Sequence, residues 1–168
     1  ISVYAQEIEE VVVTATKKEE SLQDVALSVE ALSSDDIAVQ QIYDFSDIAE
    51  SVPGLGSSKS VGSGSAFTIR GIGSFGVGAA NIASVVTASN GHSVNDSVFV
   101  DIGMYDLERI EVLKGPQGTL NGRNATTGIV NFITARPTGE TGGSVDVVVG
   151  NYDQVRTTMV LNAPISDD

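Results

Sequence analysis

Residues 107–137 read LERIEVLKGPQGTLNGRNATTGIVNFITARP and contain the clearest structural pattern in the chain. Ile110 and Val112 alternate with charged residues, which is the two-residue period of a β-strand. The turn sequence GPQG at 115–118 ends this strand, because proline lacks an amide donor and glycine tolerates turn conformations. An apolar run at 129–133 predicts another strand. The stretch therefore predicts two strands of one sheet, joined by a glycine-punctuated connection.

A second informative segment lies near the start of the chain, where residues 9–20 read EEVVVTATKKEE. Three consecutive β-branched valines, 11–13, favour an extended conformation. The residues alone leave two alternatives open. The segment is either a first strand packed into this domain or a flexible tether that adds to the open edge of a partner's sheet.

The two segments occur in the order and at the separation typical of one family, and the chain resembles the plug domain of TonB-dependent outer-membrane receptors from Glu9 to its C-terminus. The resemblance implies active uptake of a scarce extracellular small-molecule solute, such as a ferric siderophore, cobalamin or carbohydrate, with no catalytic residues, no cofactor and no metal. It also implies that the periplasmic domain of TonB captures a TonB box by strand addition. We expect this box to comprise Glu10, Val11, Val12, Val13, Thr14 and Ala15.

The same resemblance implies an α+β fold: a small plug domain with a mixed four-stranded sheet and short helices, followed by the first hairpin of a transmembrane β-barrel. The alternation in 144–149 and 154–163 predicts that hairpin, because lipid-facing and lumen-facing side chains alternate in barrel strands. Two strands cannot close a barrel, so we expect the receptor to continue beyond this chain. The expected organisation is a flexible N-terminus with the TonB box at 1–20, the plug at 21–138 and the first barrel strands at 139–168.

Local patterns predict the first elements of the plug. Residues 22–32 alternate as a strand. Ser33 and Asp36 have the spacing of a helix capping box, and Asp44 is a second N-cap before a short helix at 45–51. The apolar stripe expected on the first helix consists of Ile37, Val39 and Ile42.

The glycine- and serine-rich run GSSKSVGSGS at 56–65 predicts a flexible surface loop. A strand at 66–70 should follow, and the family pattern FTIRGIG assigns it to the plug sheet. Residues 71–76 also spell GxGxxG directly after this strand, which suggests a dinucleotide-binding alternative. That alternative is disfavoured because residues 85–87 are poor helix formers and no strand–helix alternation follows.

The resemblance assigns residues 74–91 to apical loops, where ligand contact is expected. The ligand-facing candidates are Ser74, Phe75, Asn81 and Asn90. The loop that the family places before its LER motif is shortened here at 101–106, so contacts made by that loop are not expected. His92 lacks neighbouring ligands and predicts no metal site.

Four basic residues of the plug match or neighbour the family motifs, and the resemblance implies that they contact carboxylates on the inner wall of the chain's own β-barrel. They are Arg70, Arg109, Lys114 and Arg123. The alternative for Arg109 is internal pairing with Glu108 or Glu111, which would contribute little if exposed.

Composition narrows the choice of partners. The formal net charge is −13, and residues 1–50 hold twelve acidic residues against two lysines. This acidity disfavours nucleic-acid binding. Residues 1–6 resemble the end of a signal peptide, with cleavage expected after Ala5. The expected location is the outer membrane of a Gram-negative bacterium, with the plug inside the barrel and the N-terminus in the periplasm; a free-standing secreted binding protein remains an alternative.

Overall fold

The structure is a computed structural model and describes residues 12–13, 20–21, 28–60, 64–73, 84–94, 104–118 and 125–164. The chain divides into two compact units, Ile1–Thr134 and Ala135–Asp168. The described elements of the first unit are strands β1 (Val12–Val13), β2 (Glu20–Ser21) and β3 (Ser28–Ser33), helices α1 (Ser34–Val39) and α2 (Phe45–Ser51), and strands β4 (Leu55–Ser60), β5 (Gly64–Ile69), β6 (Val85–Ser89), β7 (His92–Ser93), β8 (Leu107–Lys114) and β9 (Gly128–Thr134).

The central sheet has five strands in the order β3-β8-β9-β6-β7. Strands β6 and β9 run parallel, and the other neighbours run antiparallel. The predicted mixed sheet is therefore confirmed, with a fifth strand of only two residues at one edge. Strands β8 and β9 are the pair expected from the 107–137 sequence, and they lie in the interior of the sheet.

Both helices begin as their capping residues predict. The backbone amide of Asp36 donates to Ser33 Oγ at 3.1 Å, and the Ser33 amide donates back to Asp36 Oδ2 at 3.0 Å. The Ser33 hydroxyl also donates to Asp36 Oδ2 at 2.7 Å, and this hydrogen bond, together with the one from the Ser33 amide, lowers the pKa of Asp36 from its ordinary value of 3.8. In α2, Asp44 accepts from the Asp47 amide at 3.1 Å, so both capping boxes satisfy amides that have no partner inside the helix.

The apolar stripe predicted for the first helix is only partly correct. Ile42 is buried, but it lies beyond the end of α1, and Val39 is 82% exposed. The six-residue helix is too short for all three apolar residues to reach the core.

Aromatic contacts join the second helix to two other elements of the core. The Phe45 ring stacks on Phe67 of β5 with centroids 4.6 Å apart and lies 5.8 Å from the ring of Phe132 in β9. All three residues are buried. The core therefore lies between the central sheet, α2 and the β4–β5 hairpin.

The prediction of a loop at 56–65 is wrong for residues 56–60 and 64–65, and residues 61–63 lie outside the described residues. Strands β4 and β5 form a separate antiparallel hairpin, with Leu55 opposite Ile69 and Ser57 opposite Phe67. The strand predicted at 66–70 is thus part of β5, but it does not join the central sheet. The serine and glycine residues of β4 are typical of loops, so composition alone does not predict a strand there. Burial of Leu55, Phe67 and Ile69 favours formation of the hairpin.

The second unit contains a hairpin of β10 (Gly142–Val149) and β11 (Val155–Asn162). The strands are antiparallel, with Val145 opposite Met159 and Val149 opposite Val155. The predicted hairpin is confirmed. Among the described residues, no helix is long and apolar enough to span a membrane.

Candidate functional site

The N-terminal segment of interest, residues 10–15, is here called the coupling segment. Two of its residues form β1, in which Val12 pairs with Ser21 and Val13 pairs with Glu20. The Val13 side chain is fully buried. Glu10, Val11, Thr14 and Ala15 lie outside the described residues. The expected extended conformation is confirmed for Val12 and Val13. Their pairing with β2 and the burial of Val13 match the alternative of a strand packed within the chain, so these residues would have to leave β2 before they could add to a partner's sheet.

Lys114, at the end of β8, has two partners within the same unit. Its ammonium Nζ lies 2.8 Å from Glu30 Oε1 and donates to the Pro53 carbonyl oxygen at 2.6 Å. The Lys114 side chain is only 8% exposed, against 39% for Glu30. These contacts connect three elements: β8, β3 and the segment after α2. They also occupy the ammonium group that was expected to contact the barrel wall.

Arg109 is held by internal carboxylates. Its Nε donates to Glu111 Oε1 at 2.8 Å, and its Nη1 pairs with Glu108. Glu111 is fully buried and also accepts from Asn131 Nδ2 at 3.4 Å. The alternative of internal pairing is confirmed for Arg109. The pair with Glu111 is buried rather than exposed, so it neutralises a carboxylate that cannot remain charged alone in the core.

Arg70 is exposed at the tip of a two-residue turn. Ile69 and Ile72 exchange both backbone hydrogen bonds at 3.0 Å, and Arg70 and Gly71 both have positive φ, 54° and 76°. This is the geometry of a type I′ turn, which favours glycine or asparagine over arginine. Within the described part of the chain, the Arg70 guanidinium has no hydrogen-bonding or ionic partner. Of the three described cations in the predicted set, Arg70 alone is available to another molecule or segment, while Arg123 lies outside the described residues.

Asn90 and its neighbours form a turn that is tied to β9. The Asn90 side-chain Oδ1 accepts from the Thr134 amide at 3.1 Å, and the Gly91 amide donates to Asn131 Oδ1 at 3.0 Å. The amide side chain of Asn90 therefore already has a structural role, which a ligand would have to share. His92 is exposed, with Nδ1 3.1 Å from the Asn90 carbonyl oxygen.

The prediction that residues 74–91 form loops is wrong for β6. Val85, Val86 and Ala88 are buried, and β6 pairs with β9 inside the central sheet. The other ligand-facing candidates, Ser74, Phe75 and Asn81, lie outside the described residues. No group of histidine, cysteine, aspartate or glutamate residues in the described ranges could hold a metal ion.

Gly71 and Gly73 of the GxGxxG motif have local explanations, and Gly76 lies outside the described residues. Gly71 lies in the tight turn beside Arg70, and a Cβ on Gly73 would lie 2.4 Å from Thr68 Cγ2. The preceding strand, β5, belongs to a two-stranded antiparallel sheet. A dinucleotide site of this type requires a strand of a parallel βαβ unit, so the local fold disfavours the dinucleotide-binding alternative.

Sequence reasoning missed the partners of Lys114 and the buried Asn131. Glu30 is separated from Lys114 by 84 residues, and Pro53 by 61. The only signal in the sequence was the charged residue Glu30 within the alternating pattern of β3. Predicting its contact with Lys114 required the register of β3 against β8, which places Glu30 opposite Val112.

Comparison with known families identifies the first unit. Residues 21–129 match the model of the TonB-dependent Receptor Plug Domain. The chain belongs to this family.

Curated relatives of this plug domain are outer-membrane receptors and transporters. The chain is 34% identical over 160 residues to the vitamin B12 transporter of Vibrio vulnificus, covering 90% of this chain and 25% of the relative. It is 27% identical over 156 residues to the ferric-pyoverdine 358 receptor of Pseudomonas putida, covering 92% of this chain and 18% of the relative. The chain thus spans only a quarter or less of the length of these two proteins.

Solved structures share the same architecture. The ferric yersiniabactin uptake receptor of Yersinia pestis matches with a TM-score of 0.72 at 26% identity, covering 84% of this chain and 22% of that one. The alcaligin outer-membrane receptor of Bordetella pertussis also has a TM-score of 0.72, at 22% identity, covering 92% of this chain and 26% of that one. The second likeness supports the fold alone.

Proposed function

We propose that this plug domain gates the TonB-dependent uptake of a scarce extracellular solute across the outer membrane. The observation that carries the proposal is the family match over residues 21–129, preceded by the coupling segment and followed by a hairpin with one apolar face. The receptor lies in the outer membrane of a Gram-negative bacterium. The plug acts as a removable barrier and needs no catalytic group.

The β10–β11 hairpin supports a membrane location because its two faces differ. One face carries exposed apolar side chains that pair across the strands, including Val145 with Met159 and Val149 with Val155. The opposite face carries Asp146 opposite Thr158. Alternation of this kind suits strands with lipid on one side and a polar lumen on the other. We therefore assign β10 and β11 to the first hairpin of the receptor's barrel.

The coupling segment is the attachment point for TonB. Val12 and Val13 already have strand geometry, and a strand can extend a partner's sheet through its backbone amides and carbonyls. Pairing with the periplasmic domain of TonB would draw the chain toward the periplasm. The acidic first third of the chain favours a basic partner surface.

Arg70 is the plug cation that we assign to the barrel wall. Its guanidinium is exposed and has no partner within the described residues, whereas Lys114 and Arg109 are neutralised inside the plug. A non-glycine residue with positive φ is uncommon and points to a requirement for its side chain. A carboxylate of the barrel would pair with this cation as a breakable contact. Arg123 stays a candidate for the same role.

The solute belongs to the class of large, scarce chelates or cofactors. The relatives include a vitamin B12 transporter and a ferric-pyoverdine receptor, which supports a solute of one of these two kinds. We propose residues 74–83 together with Asn90 as the plug's contribution to the ligand site. Barrel loops would provide further selectivity.

The test is uptake by cells that express the whole receptor with Val12→Pro or the matched control Val12→Thr. Radiolabelled cyanocobalamin and a radiolabelled ferric siderophore serve as probes. Proline removes an amide donor and disrupts strand addition, whereas threonine keeps the β-branched shape and the amide. We expect Val12→Pro to abolish accumulation and leave surface binding of the probe intact.

Two results would contradict the proposal. Accumulation of a probe by the Val12→Pro receptor at the rate of the parent would exclude strand addition at this segment. Failure of the parent receptor to accumulate either probe would contradict the proposal for these two solutes.

A further inference from the structure

The contact between Glu30, Lys114 and Pro53, here called the clasp, fastens β3, which follows the coupling segment and β2 in the chain. The coupling segment precedes β3 in the chain, and Ser28 is the first residue of β3. Ser28 pairs directly with Lys114 in the strand register. A pull on the N-terminal segment therefore reaches the sheet at the end of β3 that holds the clasp.

Strand β3 is also the least enclosed of the long strands in the central sheet. It lies at the edge, and within the described residues it pairs only with β8. Strands β8 and β9 have neighbours on both sides. An edge strand can leave a sheet without breaking any other strand pair, so β3 is the element that separates most easily.

The clasp fastens two segments with one ammonium group. Lys114 Nζ binds Glu30 in β3 at 2.8 Å and the Pro53 carbonyl, just after α2, at 2.6 Å. The Lys114 side chain is almost completely buried, so loss of Glu30 leaves a cation that water cannot readily solvate. Removing the ammonium should weaken both β3 and the end of α2 together.

A second polar cluster holds the interior of the sheet and does not involve β3. Arg109 and Glu111 of β8 connect to Asn131 of β9, which in turn accepts from Gly91 of the β6–β7 turn. These contacts bind β8, β9 and β6 to one another. The plug thus contains an outer part fastened by the clasp and an inner part fastened separately.

We infer that the clasp is the contact that controls when the plug opens: its release allows β3 and the end of α2 to detach while β8, β9 and β6 stay together. Lys114 is then a positioning residue inside the plug and has no role as a barrel contact. The inference rests on the proposed function, since TonB supplies the pull. It makes predictions for the isolated 168-residue chain that need neither TonB nor a solute.

The first test is hydrogen exchange of the chain with Lys114→Met, the isosteric Glu30→Gln and the control Lys59→Met, which removes an exposed lysine of β4. We expect Lys114→Met and Glu30→Gln to speed exchange of amides in 28–33 and 45–53 by at least about tenfold, because local opening becomes easier. Amides in 128–134 should be unchanged, and Lys59→Met should behave as the parent. Equal acceleration in all segments, or none in 28–33, would overturn the inference.

The second test pulls single molecules from the N-terminus and uses Ser28→Cys with Lys114→Cys. The 168-residue sequence contains no cysteine, and directly paired antiparallel residues are close enough for a disulfide. The oxidised form replaces the clasp by a covalent bond, so the first rupture within the central sheet, which releases β3, should disappear. After reduction, the first rupture should occur at a lower force than in the parent, because the ammonium is missing.

A matched control places the disulfide in the hairpin, with Asp146→Cys and Thr158→Cys, which also pair directly. Its oxidation should leave the first rupture unchanged. A first rupture that is insensitive to both Lys114→Met and oxidation at 28 and 114 would refute the clasp. Failure of the proposed function would give a different pair of results. The exchange and pulling experiments on the chain would agree with the clasp, but the whole receptor would transport its solute without TonB.

Discussion

The central sheet and the C-terminal hairpin use the same alternating sequence pattern but differ in where their apolar side chains lie. In the sheet, Val112 and Val130 are fully buried against other elements of the same unit. In the hairpin, Val147 is 59% exposed and Leu161 is 73% exposed. The sheet buries its apolar side chains within its own unit, whereas the apolar face of the hairpin is not covered by the described residues.

This difference distinguishes apolar residues that stabilise the folded chain from apolar residues that we expect to contact lipid. Burial of apolar surface is the main favourable contribution to folding, so substitutions in the sheet should reduce stability directly. Exposed valines on the hairpin contribute little to the stability of this chain. Their value lies in the lipid environment that we propose for the barrel.

The largest effect is expected from Phe45→Ala, which removes the ring that packs on Phe67 and Phe132. Loss of a buried aromatic side chain lowers the free energy of unfolding by about 3–5 kcal/mol. Denaturant unfolding followed by near-ultraviolet circular dichroism measures this change. A loss below about 1 kcal/mol would mean that α2 is not part of the core.

A matched pair of substitutions compares the two regions directly. Val130→Thr places a hydroxyl in a fully buried site of β9 and should lower the free energy of unfolding by about 1–3 kcal/mol. Val147→Thr makes the same chemical change on the exposed hairpin face and should stay within about 0.5 kcal/mol of the parent. Thermal unfolding of both variants in the absence of lipid provides the measurement. Equal losses would remove the distinction between the two regions.

The smallest effect concerns the cap of α1 and its dependence on pH. The pKa of Asp36 is lowered by hydrogen bonds from Ser33, so the charged carboxylate stabilises the folded chain. This stabilisation is complete above the unfolded pKa of 3.8 and is lost as pH falls through the lower folded pKa. Asp36→Asn should therefore lose less stability than the parent between about pH 5 and pH 2. Parallel pH profiles for the two proteins would contradict the role of this carboxylate.

The sequence predicted those features that depend on nearby residues. The spacing of Ser33 and Asp36 predicted the first cap, and the alternation in 144–149 and 154–163 predicted the hairpin. Strand β4 was missed because serine and glycine resemble a loop, while its pairing with β5 depends on burial of Phe67 and Ile69.

Within the candidate site, contacts between residues far apart in the sequence could not be predicted. Lys114 was predicted to contact the barrel wall, whereas its partners in the structure lie within the plug, 84 and 61 residues away in the sequence. No local pattern contains the register that brings Glu30 to it. The difference between Lys114 and Arg70 is likewise one of burial, because one side chain is enclosed and the other is exposed at a turn.

The most direct test of the account is hydrogen exchange of the 168-residue chain with and without the purified periplasmic domain of TonB. We expect slower exchange at residues 10–15 when the domain is added, because strand addition protects backbone amides. The protection should persist in Val12→Thr and vanish in Val12→Pro. Unchanged exchange at residues 10–15 with the domain in excess would contradict the proposal that this segment couples the plug to TonB.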